Sequence, residues 1–147
     1  WNSDGSLTRS WNAHLKGVTA IDWSPDGKRL LSASYDQHVR VWNEEGQLLG
    51  ELPGPMAMSC AIAWNKSNDR IATAHFNGTI CYWDAATLEP LWTSLLFTND
   101  RWVRFDSTGI ANSSDPQLVD KLVLVSENDA GALNLQRVSE LPPRQDP

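Results

Sequence analysis

Three side chains in this sequence carry the ingredients of nucleophilic catalysis: His14, Ser32 and Asp36. A serine nucleophile, a histidine base and an acidic residue to orient it would suit acyl transfer. Such a serine also needs an oxyanion hole, and no Gly-x-Ser-x-Gly elbow occurs in the chain. Metal chemistry has less support. The histidines (14, 38, 75) and cysteines (60, 81) lie far apart, without Cys-x-x-Cys or His-x-x-x-His spacing. There is no P-loop and no GxGxxG. No catalytic residue, metal or cofactor is therefore expected.

The elements that hold these side chains follow from a different signal. The 147 residues contain eight tryptophans, at positions 1, 11, 23, 42, 64, 83, 92 and 102. Trp1, Trp42 and Trp83 are spaced by 41 residues, and so are Trp23 and Trp64. Each of the first three is followed by Asn or Asp. The same offset of 41 aligns Ile21 with Ile62, Leu30 with Ile71, Ala33 with Ala74, Tyr35 with Phe76, and Val39 with Ile80. A fixed period of this size marks stacked supersecondary units. Within one period, residues 18–23, 29–34, 38–43 and 47–52 read as strands, separated by turns such as Ser24-Pro25-Asp26-Gly27. Asn77-Gly78 is a favoured hairpin pair in the second period. No segment sustains a 3.6-residue apolar period. The spacing predicts an all-β fold of four-stranded antiparallel meanders.

Gly17 to Asn43 resembles a WD40 repeat, and the resemblance extends to about Arg137. It implies blades of a β-propeller, in which strands a to d radiate from a central channel. It also implies a structural tetrad, hydrogen-bonded from Trp to Ser or Thr, to His, to Asp. His14, Ser32, Asp36 and Trp42 match it in the first blade. In the second, Thr73 and Trp83 match and Asn77 replaces Asp. Pro55 stands where His is expected, so an incomplete network is expected there. The same tetrad gives His14, Ser32 and Asp36 a structural role in place of a catalytic one.

The expected organisation is an outer strand over 1–11, blades over 12–52 and 53–93, a degenerate blade over 94–137, and a tail over 138–147. In the degenerate blade, residues 100–105 read as strand a, and 122–127 as strand b after an insertion at 111–121 projecting from the bottom face. Asp129 is in register there, but Val125 and Leu135 replace the tetrad Ser and Trp. About three blades result, whereas propellers close with four to eight. Three readings stay open: the C-terminal part of a longer propeller, two chains that close a ring as a homo-oligomer, or a short open array.

The family resemblance places partner-binding positions on the top face. They fall on Gly17, Thr19 and Tyr35, then Met58, Cys60 and Phe76, then Asn99, Arg101 and Asn128. Met58, Cys60 and Phe76 would form an apolar spot beside Tyr35; the alternative is that Met58 and Phe76 pack on each other or on the next blade. A non-catalytic protein-interaction scaffold is the expected function, with protein or peptide partners. Eighteen acidic residues against 12 basic ones, with no basic run, argue against nucleic acid. No apolar run approaches the length of about 20 residues that spans a membrane. Cys60 and Cys81 fall on strands a and c with strand b between them, so no disulfide is expected, and a reducing, cytoplasmic setting is. The triplets beginning at Asn65, Asn77 and Asn112 match the glycosylation acceptor but arise by chance in turn-rich chains.

Overall fold

The computed structural model describes residues 2–53, 57–106, 109–115, 117, 123–127 and 133–137, with the backbone alone at 109–111, 123–127 and 133–137. Every element bounded within them is a β-strand. The chain divides into two compact units, one ending at Leu91 and one beginning at Trp92.

In the first unit, β1 (Val18–Trp23), β2 (Arg29–Ser34), β3 (Val39–Asn43) and β4 (Leu48–Leu52) form one antiparallel sheet in chain order. The next strands, β5 (Ser59–Trp64), β6 (Arg70–His75), β7 (Thr79–Asp84) and β8 (Pro90–Leu96), are also neighbours in chain order. The two ladders share register. Ser32 pairs with Arg40 and Thr73 with Cys81, one period apart.

Alternation decides what each face does. Leu31, Ala33, Val39 and Val41 point to one side and join Ile71, Cys81 and Trp83 in a single buried cluster. Leu30, Ser32 and Ser34 are buried as well, so β2 is covered on both faces. Burial of this kind stabilises by about 25 cal/mol per Å² of apolar surface. Polar bonds fasten the two sheets: Thr19 Oγ1 donates to the Ser59 carbonyl (2.9 Å), and the Trp64 amide donates to Asp22 Oδ2 (2.7 Å). The Arg29 guanidinium lies 4.4 Å from the Trp64 ring centroid and donates to the Ala85 carbonyl and to Asn68 Oδ1.

The turns show why one sequence tolerates what its repeat replaces. Gly27 (φ 71°) closes the β1–β2 turn, and Asn68 (φ 60°) takes the same left-handed place in β5–β6. In the next hairpin the order reverses: Gly78 (φ 82°) has Gln37 (φ 72°) as its counterpart. Glutamine has a Cβ and is strained there. Gln37→Gly is expected to raise stability by about 0.5–1 kcal/mol, read as a higher urea midpoint at unchanged slope. A lower midpoint would show that the Gln37 side chain contributes more than its backbone costs.

The second unit departs from the expected third blade. Within it, β8 pairs with β9 (Trp102–Asp106), and β9 pairs with β10 (Gly109–Ser113). Residues 111–113 were expected in an insertion, but they belong to β10. The strand β11 (Val123–Glu127), expected as strand b, pairs with β12 (Leu133–Arg137) as strands b and c would, and what differs is that β10 lies beside β9. The physical reason is closure cost. Gly109 lies directly opposite Asp106, so the nearest strand returns through a short turn before a distant one can compete. Residues 107–108, 128–132 and 138–147 fall outside the described residues.

Residues 6–11 form no ladder either, though an outer strand was expected. Strand d needs strand c of its own blade, and Trp1, its expected end, lies outside the described residues. The segment is held by side chains instead: Arg9 Nη1 donates to the Glu44 carbonyl (2.9 Å), and the Trp11 ring sits 6.0 Å from Trp42.

Candidate functional site

In the first sheet a buried polar chain runs from β3 to the loop before β1. Trp42 Nε1 donates to Ser32 Oγ (2.8 Å), Ser32 Oγ meets His14 Nε2 (2.7 Å), and His14 Nδ1 meets Asp36 Oδ2 (3.0 Å). The topology makes this possible. Ser32 and Trp42 face the same side of paired strands, and Asp36 sits in the hairpin between them. Ser32 Oγ accepts from the indole, and the His14 ring bridges that oxygen to the Asp36 carboxylate through its two nitrogens.

Asp36 also accepts from the backbone amides of Leu15 and His38, both at 3.1 Å. Burial is the largest single influence on its carboxyl and pushes the pKa up. The bonds from His38, His14 and Leu15 together outweigh it and hold the group at about 2. Arg40 lies 3.7 Å from Asp36, donates to the Ala13 carbonyl (2.6 Å), and holds Glu51 below the usual carboxylate range through a 2.7 Å bond.

Ser, His and Asp thus stand at triad-like distances. The chain is nevertheless consumed internally: Ser32 is 2% exposed, and its oxygen is already bonded to an indole. A nucleophile needs an open approach for a carbonyl carbon.

The second sheet builds its chain differently. Trp83 Nε1 donates to Thr73 Oγ1 (3.1 Å), as the first sheet's pattern implies. Thr73 Oγ1 then meets His75 Nε2 (2.9 Å), and His75 Nδ1 meets Ser59 Oγ (3.2 Å) and the Ala57 carbonyl (3.3 Å). The histidine comes from β6 itself, two residues after Thr73 and therefore on the same face. Asn77 lies outside this chain. Its Oδ1 accepts from the Thr79 amide (3.1 Å) and hydroxyl (2.6 Å), closing the hairpin. Its side chain is directed to its own turn, which a short amide satisfies locally. Pro55 falls outside the described residues. Burial lowers the His75 pKa, against a smaller upward push from the Ala57 carbonyl. The sequence held one usable signal for His75: a histidine at strand period from Thr73, in a repeat whose loop histidine is replaced.

The rim residues divide. Tyr35 is 50% exposed and Phe76 66%, and each is anchored by the same backbone bond (Tyr35 to Gly17, Phe76 to Met58, both 3.1 Å). The Tyr35 ring lies beside Gly17, 3.5 Å from where a Cβ would stand. Met58 and Cys60 are exposed. Thr19 is turned inward to Ser59, and that bond sets the starts of β1 and β5 side by side. Tyr35, Met58, Cys60 and Phe76 therefore occupy one end of adjacent sheets. In the second unit, Asn99 has φ 62°, and Arg101 pairs with Asp115 at 3.8 Å. Asn128 is outside the described residues. Among the described residues, no group of three His, Cys, Asp or Glu side chains is placed to hold a metal.

The residues fastening one sheet to the next, Asp22, Arg29 and Asn68, were not singled out from the sequence. Charged and amide residues in turns and at strand ends carry no pattern that distinguishes an inter-sheet bond from a solvated surface.

Comparison with known proteins agrees with this geometry. The WD domain, G-beta repeat family matches residues 5–43 and 46–84. The chain is 42% identical over 77 residues to mouse (Mus musculus) F-box-like/WD repeat-containing protein TBL1X, a match covering 50% of this chain and 14% of that protein. It is 40% identical over 81 residues to cilia- and flagella-associated protein 52 of Bos taurus, covering 52% and 13%. With the THO complex subunit 3 of Arabidopsis thaliana it shares 33% over 84 residues, covering 53% and 27%. The matched stretches are thus a minor part of each relative's length. Two repeats matched by the family, each with a buried Trp–Ser/Thr–His chain, place this protein in the WD40-repeat family.

Proposed function

We propose that this chain is a non-catalytic protein-interaction scaffold, part of a larger propeller, whose partner surface is the rim formed by Tyr35, Met58, Cys60 and Phe76. The observation that carries this reading is the exposure of Tyr35 and Phe76 at equivalent places in two sheets, each on a rigid backbone anchor. Rigid aromatics presented by a scaffold are the usual anchors of protein recognition. WD-repeat relatives support a binding role, and the net charge of −6 favours partners that present basic segments.

The test is a peptide selected from a basic display library, titrated against the chain and against the Tyr35→Ala, Phe76→Ala double variant. The expected loss is at least about 100-fold in affinity, or about 2.8 kcal/mol, with the melting temperature moved by no more than about 2 °C. Unchanged affinity would remove the rim from the reading. A large fall in melting temperature would move both rings into the core.

A further inference from the structure

Asn77-Gly78 is the one place in the 147 residues where glycine follows asparagine. Asparagine is a thermolabile side chain. The backbone nitrogen after it can attack its side-chain carbonyl carbon, and a following glycine has no Cβ to hinder the approach. The surroundings decide whether such a pair reacts, and three features of the β6–β7 hairpin bear on it.

The first is access to water. Asn77 and Gly78 are both exposed, whereas the side chain of Asp36, their counterpart's leading residue in the first sheet, is 6% exposed. The second is the electrophile. Asn77 Oδ1 accepts from the Thr79 hydroxyl (2.6 Å) and the Thr79 amide (3.1 Å). Both donors face the oxygen that gathers negative charge when Cγ is attacked, which is how an oxyanion is stabilised. A side chain bonded to the amide two residues on lies over the intervening peptide, here the Gly78 peptide whose nitrogen must react. The third is the nucleophile. The Gly78 amide donates to the His75 carbonyl (3.0 Å). That bond shields the nitrogen, and local opening of an exposed hairpin tip releases it. Two other asparagines lack this combination. Asn68 donates to Asp26 and accepts from Arg29, and aspartate follows it. Asn65 accepts from the amides of Asp69 and Arg70, but lysine follows it.

We propose that Asn77 is a site of spontaneous deamidation, activated by the Thr79 hydroxyl. The Gly78 nitrogen gives its proton to solvent base and forms a bond to Asn77 Cγ. The carbonyl electron pair moves to Oδ1 and, on returning, expels Nδ2, which takes a proton from water and leaves as ammonia. The five-membered succinimide then takes up one water. Opening at Cγ gives aspartate. Opening at the backbone carbonyl gives isoaspartate, with the main chain rerouted through the side chain and longer by one methylene. Water is the co-reactant, and hydroxide speeds the first step. Both products place a new negative charge beside Phe76, and isoaspartate lengthens the turn that carries it. The modification does not require the rim to bind a partner, so it stands or falls separately from that reading.

The test incubates the full chain for several weeks at mildly alkaline pH and physiological temperature. Mass spectrometry follows each asparagine peptide for replacement of NH2 by OH, and enzymatic methylation counts the isoaspartate. Asn77 is expected to convert faster than Asn65 and Asn68, at a rate that rises with pH. Thr79→Val is expected to slow it at least about fivefold, the rate equivalent of one hydrogen bond of about 1 kcal/mol, and Thr79→Ser to keep the original rate. Gly78→Gln is expected to bring Asn77 down to the rate at Asn65; Gln37, its counterpart, has φ 72°, so the turn accepts glutamine. Circular dichroism checks that each variant is folded. Conversion at Asn77 no faster than at Asn65 overturns the proposal. Fast conversion that Thr79→Val leaves unchanged overturns it too, because the pair would then react without help from the hairpin. Gly78→Gln leaves Thr79 intact, and an undiminished rate in that variant overturns it independently.

Discussion

Asp36→Ala is expected to cost the first unit about 3 kcal/mol, because it removes a buried carboxylate that accepts from three donors. The His14 side chain is fully buried and Asp36 is 6% exposed, so water does not readily replace the lost acceptor. Three donors are left at once: His14 Nδ1 and the amides of Leu15 and His38. Each buried donor without an acceptor costs about 1–3 kcal/mol, and partial solvation of the loop amides keeps the sum near the lower end. Urea unfolding followed by tryptophan fluorescence measures the loss. A change below about 1 kcal/mol would mean that the loop before β1 is not held by this carboxylate.

The same group gives the acid side of the stability curve its sign. Its folded pKa of about 2 lies below the ordinary value of 3.8. The unfolded chain therefore takes up this proton first as pH falls. The stabilisation is fully present above the ordinary value and is lost between about pH 4 and about pH 2. Asp36→Asn should be less stable at neutral pH and show a shallower decline across that window. Equal slopes in the two proteins would remove Asp36 from the account of acid unfolding.

His75→Leu is expected to cost about 2 kcal/mol, whereas Asn77→Ala costs no more than about 1 kcal/mol. The histidine joins Thr73 to Ser59 inside the second sheet, and Ser59 is 1% exposed. Leucine fills similar volume but leaves the serine hydroxyl facing an apolar group. The asparagine is itself exposed and closes only its own hairpin, its Oδ1 accepting from the one neighbour Thr79. Burial depresses the His75 pKa below 6.5, so its contribution is fully present above that value and falls as pH drops through the folded pKa. The reverse ranking of the two variants would return Asn77 to the network and make His75 incidental.

These two networks show what was legible before the fold was known. Strands at 18–23 and 29–34 could be read directly, because alternation and the Ser24-Pro25-Asp26-Gly27 turn are local. The link of Ser32 to Trp42 came with the resemblance to a WD40 repeat; Trp42 pairs with Leu30, and its indole reaches Ser32 two residues along the same face. His75 was missed because its role depends on the loop before β5 failing to supply a histidine. That is a fact about what surrounds Thr73 in space and not about its neighbours in sequence. The Arg29–Trp64 contact was missed for a similar reason: the two lie 35 residues apart, on different sheets.

The sequence by itself determined a 41-residue period and all-β repeats, and its resemblance to a WD40 repeat implied the polar chain of the first sheet. The period and the strands follow from spacing and turn chemistry, which are local or recur at one interval. Tertiary structure decided the rest. It chose His75 over Asn77 as the second sheet's histidine-side partner and joined β9 to β8 and β10 in place of a third separate meander. In each case several residues of suitable chemistry competed for one position. Burial and hydrogen-bond geometry in three dimensions selected among them, and a linear pattern carries no record of that selection.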